Sequence, residues 1–430
     1  MTNISLEFIQ DLLRDDYPDV VIEKFEGAPG SKRGDNYTSM VYRITLKGVR
    51  KHVEPDGSAE NHETWKGSLI YKCLPESILR REAFKSDELF RNEVAFYTKI
   101  WPAMSSFQSQ WKVKQPFKGI PKCYLARNDC LVLKDLKQYG FVMPDRRQGL
   151  TAAECYVVLK NLSQYHALSL AMKCQNAEKF FELLNEKDGI NEVFFVDENI
   201  DYYRTYYNEA IQNAIGMVEE ELKDSDTKDF YLEKFQKFCS EDTFFTMMVD
   251  LVKPREPLAV ICHGDCWTNN FQFRYADGEI AEMYFVDFQL VRYASPALDL
   301  VYIMYLCLDR NQRQEHQDSL LQYYVDELQE RLAQTCDQEA GVLGSLDRDR
   351  LYGLIQEEFT RCSPFGLGVA LDMLPILTCD SNEAPNVYQQ EDVGETTSEH
   401  VPPGPVWTSN ATCRKKMTDL VQEFADLDII

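Results

Sequence analysis

Apolar positions along this chain follow two periods. Leu6, Ile9, Leu12 and Leu13 stand at helical spacing near the start. The runs VVIEKFEG (20–27), SMVYRITLKG (39–48) and SLIYKCLP (68–75) are rich in β-branched and aromatic residues and bounded by Gly or Pro, which predicts three strands. The polar stretch from Val53 to Trp65 reads as a loop between the last two. From Ser86 to Trp101, residues Leu89, Phe90, Val94, Phe96, Tyr97 and Ile100 predict a packed helix. CYLAR (123–127) and CLVLKDL (130–136) predict a hairpin turning at Asn128-Asp129.

Behind these, helical spacing takes over. The segment 151–172 opens with Thr151 and Glu154, a capping-box pair. Further helices are expected at 203–222, 228–250, 296–309, 313–333, 347–373 and 412–427. Cys379–Pro405 is polar, acidic and Pro-rich and reads as a mobile loop. The order predicts an α+β chain with its sheet first and a mainly helical remainder.

The candidate chemistry sits late in the chain. CHGDCWTNN (262–270) places Asp265 two residues after His263, with the carboxamide of Asn270 five residues on. Asp287 ends a later apolar run. Phosphoryl transfer from ATP needs such a set: one carboxylate to orient and deprotonate a hydroxyl, an amide and a second carboxylate to hold magnesium. Magnesium takes oxygen ligands and keeps several waters, so two protein oxygens suffice. A plain His-Gly-Asp turn between strands is the alternative reading.

Upstream, Lys72 ends a strand-like run where a basic residue is otherwise awkward, and Glu93 lies on the next predicted helix among Phe90, Val94 and Phe96. An acid-fixed ammonium there can reach the phosphates of a nucleotide. The loop GAPGSKRGDNYTS (27–39) joins the first two strands; its glycines let backbone N–H groups approach phosphates, and Lys32 and Arg33 add positive charge. It lacks both GxGxxG and the P-loop pattern, so a solvated hairpin explains it equally well. Asn36 and Ser39 near its end are candidate nucleotide-binding positions, as is Leu133 in the segment joining the two halves, whose main chain can meet an adenine edge.

Composition narrows the partners. The 430 residues carry 70 Asp+Glu against 46 Lys+Arg, a formal net charge of −24, which argues against nucleic acid or an anionic membrane. No apolar run approaches the ~20 residues of a spanning helix, and the acidic start does not resemble a signal peptide. Thirteen cysteines scattered through predicted elements suit reduced thiols in a cytoplasmic protein. Cys262 and Cys266 lack a second pair at zinc spacing and read as packing residues.

HGDCWTNN, VDFQLVRYASPALDL, NYTSMVYR, the Lys72 strand, FRNEVAFY, and LVLKDL followed by GF together resemble the ecdysteroid kinase-like family, of the choline kinase and aminoglycoside phosphotransferase superfamily. The resemblance spans roughly Ile22 to Pro375. It implies a protein-kinase-like bilobal fold, with residues 1–135 as a nucleotide-binding lobe and 136–430 as a helical lobe carrying the catalytic loop and acceptor pocket. It implies ATP and Mg2+, with Asp265 as catalytic base, Asn270 and Asp287 as magnesium ligands, and Lys72 with Glu93 as the phosphate-orienting pair. His263 and His166 match structural histidines, and Asp299 an acid that braces the catalytic loop. Two departures stand out. Gln289 replaces the glycine of Asp-Phe-Gly, which puts an activation-loop switch in doubt, and Lys134 stands where family members often have Glu, which puts hinge contacts through that side chain in doubt. No Ala-Pro-Glu segment follows Asp287, so a protein kinase does not fit.

The expected mechanism is in-line transfer of the γ-phosphoryl group to a hydroxyl, with Asp265 accepting the proton late because an ordinary aspartate pKa of about 3.9 makes a weak base. The family resemblance implies a small-molecule alcohol acceptor of ecdysteroid or xenobiotic type. FFVDENIDYYRTYY (194–207) and FGLGVALDMLP (365–375) are candidate pocket walls, with ordinary core packing as the competing reading. A choline- or ethanolamine-type alcohol kinase and a non-catalytic ligand carrier stay open as alternatives. The acceptor and the oligomeric state are not legible.

Overall fold

The structure, a computed structural model, describes residues 4–31, 38–53, 60–186, 188–240, 243–336, 347–380, 382 and 409–430. Helix α1 (Leu6–Leu13) starts where the Ser5 hydroxyl accepts from Phe8 N. Strands β1 (Val20–Pro29), β2 (Met40–Val53), β3 (Glu60–Cys73), β4 (Cys123–Arg127) and β5 (Cys130–Lys134) form one antiparallel sheet in the order β1-β2-β3-β5-β4.

The expected loop at 53–65 is corrected here. Val53 pairs with Glu60 and Gly48 with Trp65, so β2 and β3 continue far past the apolar runs. Ladder hydrogen bonds are made by the main chain, so a strand persists through polar residues where nothing interrupts its pairing. Trp65 is buried against Tyr17, ring centroids 5.1 Å apart.

The pleat divides the sheet between two cores. Ile44, Leu46, Leu69 and Val132 pack with Ile9 and Leu13 of α1, while Leu131 and Leu133, one residue to either side of Val132, face the main core. On that second face lie α2 (Ile78–Ala83), α3 (Ser86–Ala95) and α4 (Trp101–Gln110). The helix expected to end at Trp101 runs on: a π-helical turn at Phe96–Ile100 links α3 to α4. That turn sets Phe96 flat on Phe288, centroids 3.8 Å apart and planes at 6°.

The larger remainder is mainly helical: β6 (Phe141–Val142), α5 (Ala152–Gln175), α6 (Ala177–Leu184), α7 (Ile200–Glu221), α8 (Lys228–Phe238) and α9 (Phe244–Val252). Then come β7 (Val260–Cys262), β8 (Phe271–Ala276), β9 (Glu279–Phe285), β10 (Arg292–Ala294) and α10 (Ala297–Tyr302), followed by α11 (Arg310–Thr335), α12 (Arg348–Thr378) and α13 (Ala411–Asp426). The capping box of Thr151 and Glu154 forms as expected. The single helix expected at 228–250 is two, Lys228–Phe238 and Phe244–Val252, with Cys239 and Phe244 both buried where they meet. α12 runs through Pro364 as expected and continues past its expected end at 373 through Pro375, its apolar side buried along its length. Of the expected mobile loop, only Cys379, Asp380 and Asn382 lie within the described residues.

Phe96→Ala removes a fully buried ring from this junction and is expected to cost roughly 3–5 kcal/mol of stability. Urea unfolding against wild type measures it; a loss below ~1 kcal/mol would show that the Phe96–Phe288 stack does not hold the two parts together.

Candidate active site

Lys72 shares its strand face with Ile70, which packs against the main core, so the alternation of β3 aims the ammonium at α3. Lys72 Nζ lies 2.5 Å from Glu93 Oε2 and 2.7 Å from Asp287 Oδ1. Burial works against a charged lysine, but the Asp287 and Glu93 carboxylates overcome it and hold its pKa above the ordinary value. Burial raises Glu93 in turn, with the Lys72 ammonium opposing it. α3 is fixed to the segment beyond Asp287 by Asn92, whose Nδ2 donates to Gln289 O at 3.0 Å and Val291 O at 2.8 Å. Asp287 itself sits at φ +68°, a conformation costly for a residue with a Cβ.

The His263-Gly264-Asp265 turn follows β7. Asp299, at the start of α10, accepts from His263 N at 2.7 Å and Gly264 N at 2.8 Å. Its Oδ2 also lies 3.0 Å from His166 Nε2, and His166 Nδ1 is 2.9 Å from Tyr324 OH. Burial alone would raise Asp299; the His166 hydrogen bond and the two histidines hold it below its ordinary value. Burial keeps the His263 imidazole below its usual pKa, and its Nε2 meets Val286 O at 3.1 Å. His166, Cys262 and Asp299 converge closely enough for a metal ion, but Asp299 is already engaged by His166 and by the turn's N–H groups. Gly264 has φ +84°, and a Cβ there would lie 1.9 Å from Leu290 O.

Asp265 is buried and accepts from Asn270 Nδ2 at Oδ2 and from Tyr302 OH at Oδ1, both at 2.9 Å. Burial, and then the nearby Asp287 carboxylate, push Asp265 up to about 6 despite those hydrogen bonds. This departs from the weak base expected from sequence. Asn270 Nδ2 also donates to Asp265 O at 2.9 Å, which turns its amide oxygen away. Asn270 Oδ1 and Asp287 Oδ2 make no hydrogen bond among the described residues, and both are hard oxygen donors, as a magnesium ion requires.

Other expected positions fall differently. Asn36 lies outside the described residues. Ser39 is buried at the head of β2, its carbonyl 3.5 Å from Arg80 Nη2. Leu133 is buried in β5, paired with Ile70. Lys134 Nζ stands 4.0 Å from the Tyr139 ring centroid. Asp135, also buried, is tied to Arg43 and Ser68. Gln289, the departure from Asp-Phe-Gly, accepts from Thr38 Oγ1 at 2.8 Å, so the chain just ahead of β2 reaches this segment.

The two aromatic segments meet each other. Phe195 and Phe365 have centroids 5.5 Å apart, and these rings with Tyr203 and Tyr207 are core. Tyr206 OH donates to Asp372 Oδ2 at 3.2 Å. Tyr302, Asn92 and Asp372 carry no sequence signal of their own; each looks like an ordinary helix residue until the elements pack.

The ecdysteroid kinase-like family model matches residues 33–336, more than half of the chain. The chain belongs to the ecdysteroid kinase-like family. The family's expected arrangement, an antiparallel sheet and helix ahead of a larger helical part, is the one observed. No curated relative matches the sequence. Among solved structures, the chain is similar to a Plasmodium vivax ethanolamine kinase (TM-score 0.39, 11% identity, 90% of this chain and 84% of that one). It is also similar to the GDP complex of wild-type aminoglycoside 2'-phosphotransferase-IIIa (0.36, 10%, 99% and 100%). A third is the ternary complex of streptomycin, ATP and APH(2")-IIa (0.31, 9%, 91% and 96%). Likenesses this low carry no inference about chemistry. Among the described residues, no helix is long and apolar enough to cross a membrane.

Gly264→Ala is expected to lower the melting temperature well beyond Gly278→Ala. Both glycines have φ +84°, but a Cβ at Gly278 meets open space and costs only the left-handed penalty of about 1–2 kcal/mol. Equal drops in the two variants would show that the Leu290 contact is not limiting.

Proposed function

We propose that this protein is an ATP-dependent small-molecule kinase that transfers a γ-phosphoryl group to an alcohol. Residues 1–135 are assigned as the nucleotide-binding lobe and 136–430 as the lobe that holds the acceptor. The observation that carries the reading is the Lys72 ammonium held between Glu93 and Asp287, with Asp265 near enough for the Asp287 carboxylate to raise it. A buried ion pair is a weak contributor to stability, so its retention favours a positioning role.

In this reading Lys72 aligns the phosphates, and Asp287 with Asn270 would hold magnesium. When bound, that ion supplies charge stabilisation to the transferring phosphoryl group. Asp265 orients the acceptor hydroxyl by accepting its hydrogen bond at a lone pair left free by Tyr302 and Asn270. In the transfer, the acceptor oxygen forms its bond to Pγ as the bond to the bridging oxygen breaks. ADP leaves with that electron pair, and the hydroxyl proton passes to Asp265. A base near pKa 6 is a better match to neutral pH than an ordinary aspartate, because less driving force is lost in the proton transfer.

The acceptor we favour is an ecdysteroid-like or xenobiotic alcohol. Family membership supports this, together with the half-buried polar pair Tyr206–Asp372 between α7 and α12. All thirteen cysteines are free, which suits a reducing cytoplasmic setting.

Screening ATP consumption over ecdysteroids, plant and synthetic alcohols, choline and ethanolamine, with mass spectrometry of the product, tests the reading directly. Asp265→Asn is expected to lower turnover roughly 10²–10⁴-fold while magnesium-ATP still binds. Near-wild-type turnover in that variant would reject the base. Asp287→Ala should lose the thermal shift produced by magnesium-ATP; an unchanged shift removes Asp287 from the metal site. Because Asp265 acts ionised, kcat/KM should rise with pH through about 6 and level off above it. A profile flat from pH 5 to 8 is incompatible with that role.

A further inference from the structure

Asp372 is a half-buried carboxylate that the fold leaves with one oxygen unpartnered. It lies on α12, in the segment that packs against α10 and α7. Oδ2 accepts from Tyr206 OH at 3.2 Å, but Oδ1 is shut away from solvent without a hydrogen-bond partner. No Lys or Arg forms an ion pair with Asp372 among the described residues. Most buried acids are better served: Asp135 has Arg43, Asp299 has His166 and two backbone N–H groups, and Glu423 has Arg313, while Glu93, whose Oε1 is also bare, has Lys72 on its other oxygen.

A buried acceptor without a donor is destabilising, and native proteins rarely retain one without cause. The surroundings point to the cause. Tyr203, Tyr206, Tyr207 and Tyr302 all feel the Asp372 charge, and Tyr302 is the residue whose hydroxyl donates to Asp265. Asp265 in turn acts on Asp372. Asp372 therefore lies within electrostatic reach of the proposed base and of the tyrosine that holds it.

We propose that Asp372 Oδ1 anchors a second hydroxyl of a neutral, polyhydroxylated acceptor, so that a different hydroxyl of the same molecule reaches Asp265. This rests on the phosphotransfer reading above. Burial raises the Asp372 carboxyl to about 7, so near neutrality much of it is uncharged. An uncharged acid among tyrosine rings suits a hydroxyl, which both donates and accepts, better than a cationic nitrogen, whose partner must be ionised. Anchoring at a distal hydroxyl also selects which hydroxyl reacts, because the spacing between the two acids sets the spacing between the two hydroxyls.

The test compares wild type, Asp372→Asn, Asp372→Leu and Tyr206→Phe. Ecdysone, a monohydroxylated steroid of the same ring skeleton and choline serve as probes, with ATP consumption and the magnesium-ATP thermal shift as readouts. Asp372→Leu should raise KM for ecdysone roughly 10–100-fold, the scale of a lost buried hydrogen bond. Its kcat and magnesium-ATP shift, and its KM for the monohydroxylated steroid, should stay within about twofold of wild type on that same single-contact argument. Asp372→Asn keeps an acceptor oxygen and should lose far less. If Asp372→Leu misfolds, Tyr206→Phe leaves a second bare oxygen and should still change KM for ecdysone selectively. Equal losses for both steroids would mean a packing role and overturn the proposal. Choline as the preferred acceptor, with Asp372→Asn as damaging as Asp372→Leu, would replace it with charge pairing. A wild type that binds magnesium-ATP but turns over none of the probes removes the Asp372 assignment alone. A wild type that fails to bind magnesium-ATP removes the kinase reading and this inference together.

Discussion

One ammonium group joins three separately built parts of this protein. Lys72 comes from a strand, Glu93 from the helix behind it and Asp287 from the turn after a distant hairpin, and the lysine touches both acids. The cation between them offsets the repulsion that two carboxylates so close would otherwise exert on each other. The positions of α3 and of the Asp287 turn are therefore linked electrostatically. Asn92 and the Phe96–Phe288 stack then make that link rigid with neutral contacts.

The second constraint is the brace beneath Asp265. Asp299 receives two consecutive backbone N–H groups, and the left-handed Gly264 carries the chain on to Asp265 where a Cβ would collide with Leu290 O. A carboxylate held by N–H donors and a histidine stays ionised even when buried, so the brace does not depend on solvent. Asp265 emerges from that turn into a buried spot where its own charge is disfavoured. The contrast between two neighbouring acids, one held below its ordinary pKa and one pushed up to about 6, comes entirely from their different partners. Such divergence marks functional sites more often than packing sites.

Much of this was legible in the chain. The spacing of His263, Asp265, Asn270 and Asp287 is local, so one short segment announces the chemistry, and the Thr151–Glu154 box declares a helix start by itself. The strands were found where apolar residues alternate and missed where β2 and β3 run on through polar residues, because main-chain pairing leaves no compositional trace. The aromatic segments at 194–207 and 365–375 are expected pocket walls; most of their rings are core, with the polar pair Tyr206–Asp372 between them.

Sequence by itself determined the candidate reacting groups, the order of the elements and the family, because these depend on residue type and short-range spacing. Tertiary structure alone decided which acids share a cation, which is raised by burial, and which oxygen is left bare. Those properties are sums over neighbours, some of them brought from more than a hundred positions away along the chain, such as Tyr206 to Asp372 and Lys72 to Asp287. No window of sequence contains both partners, and a pKa has no meaning until the solvent around the group has been removed.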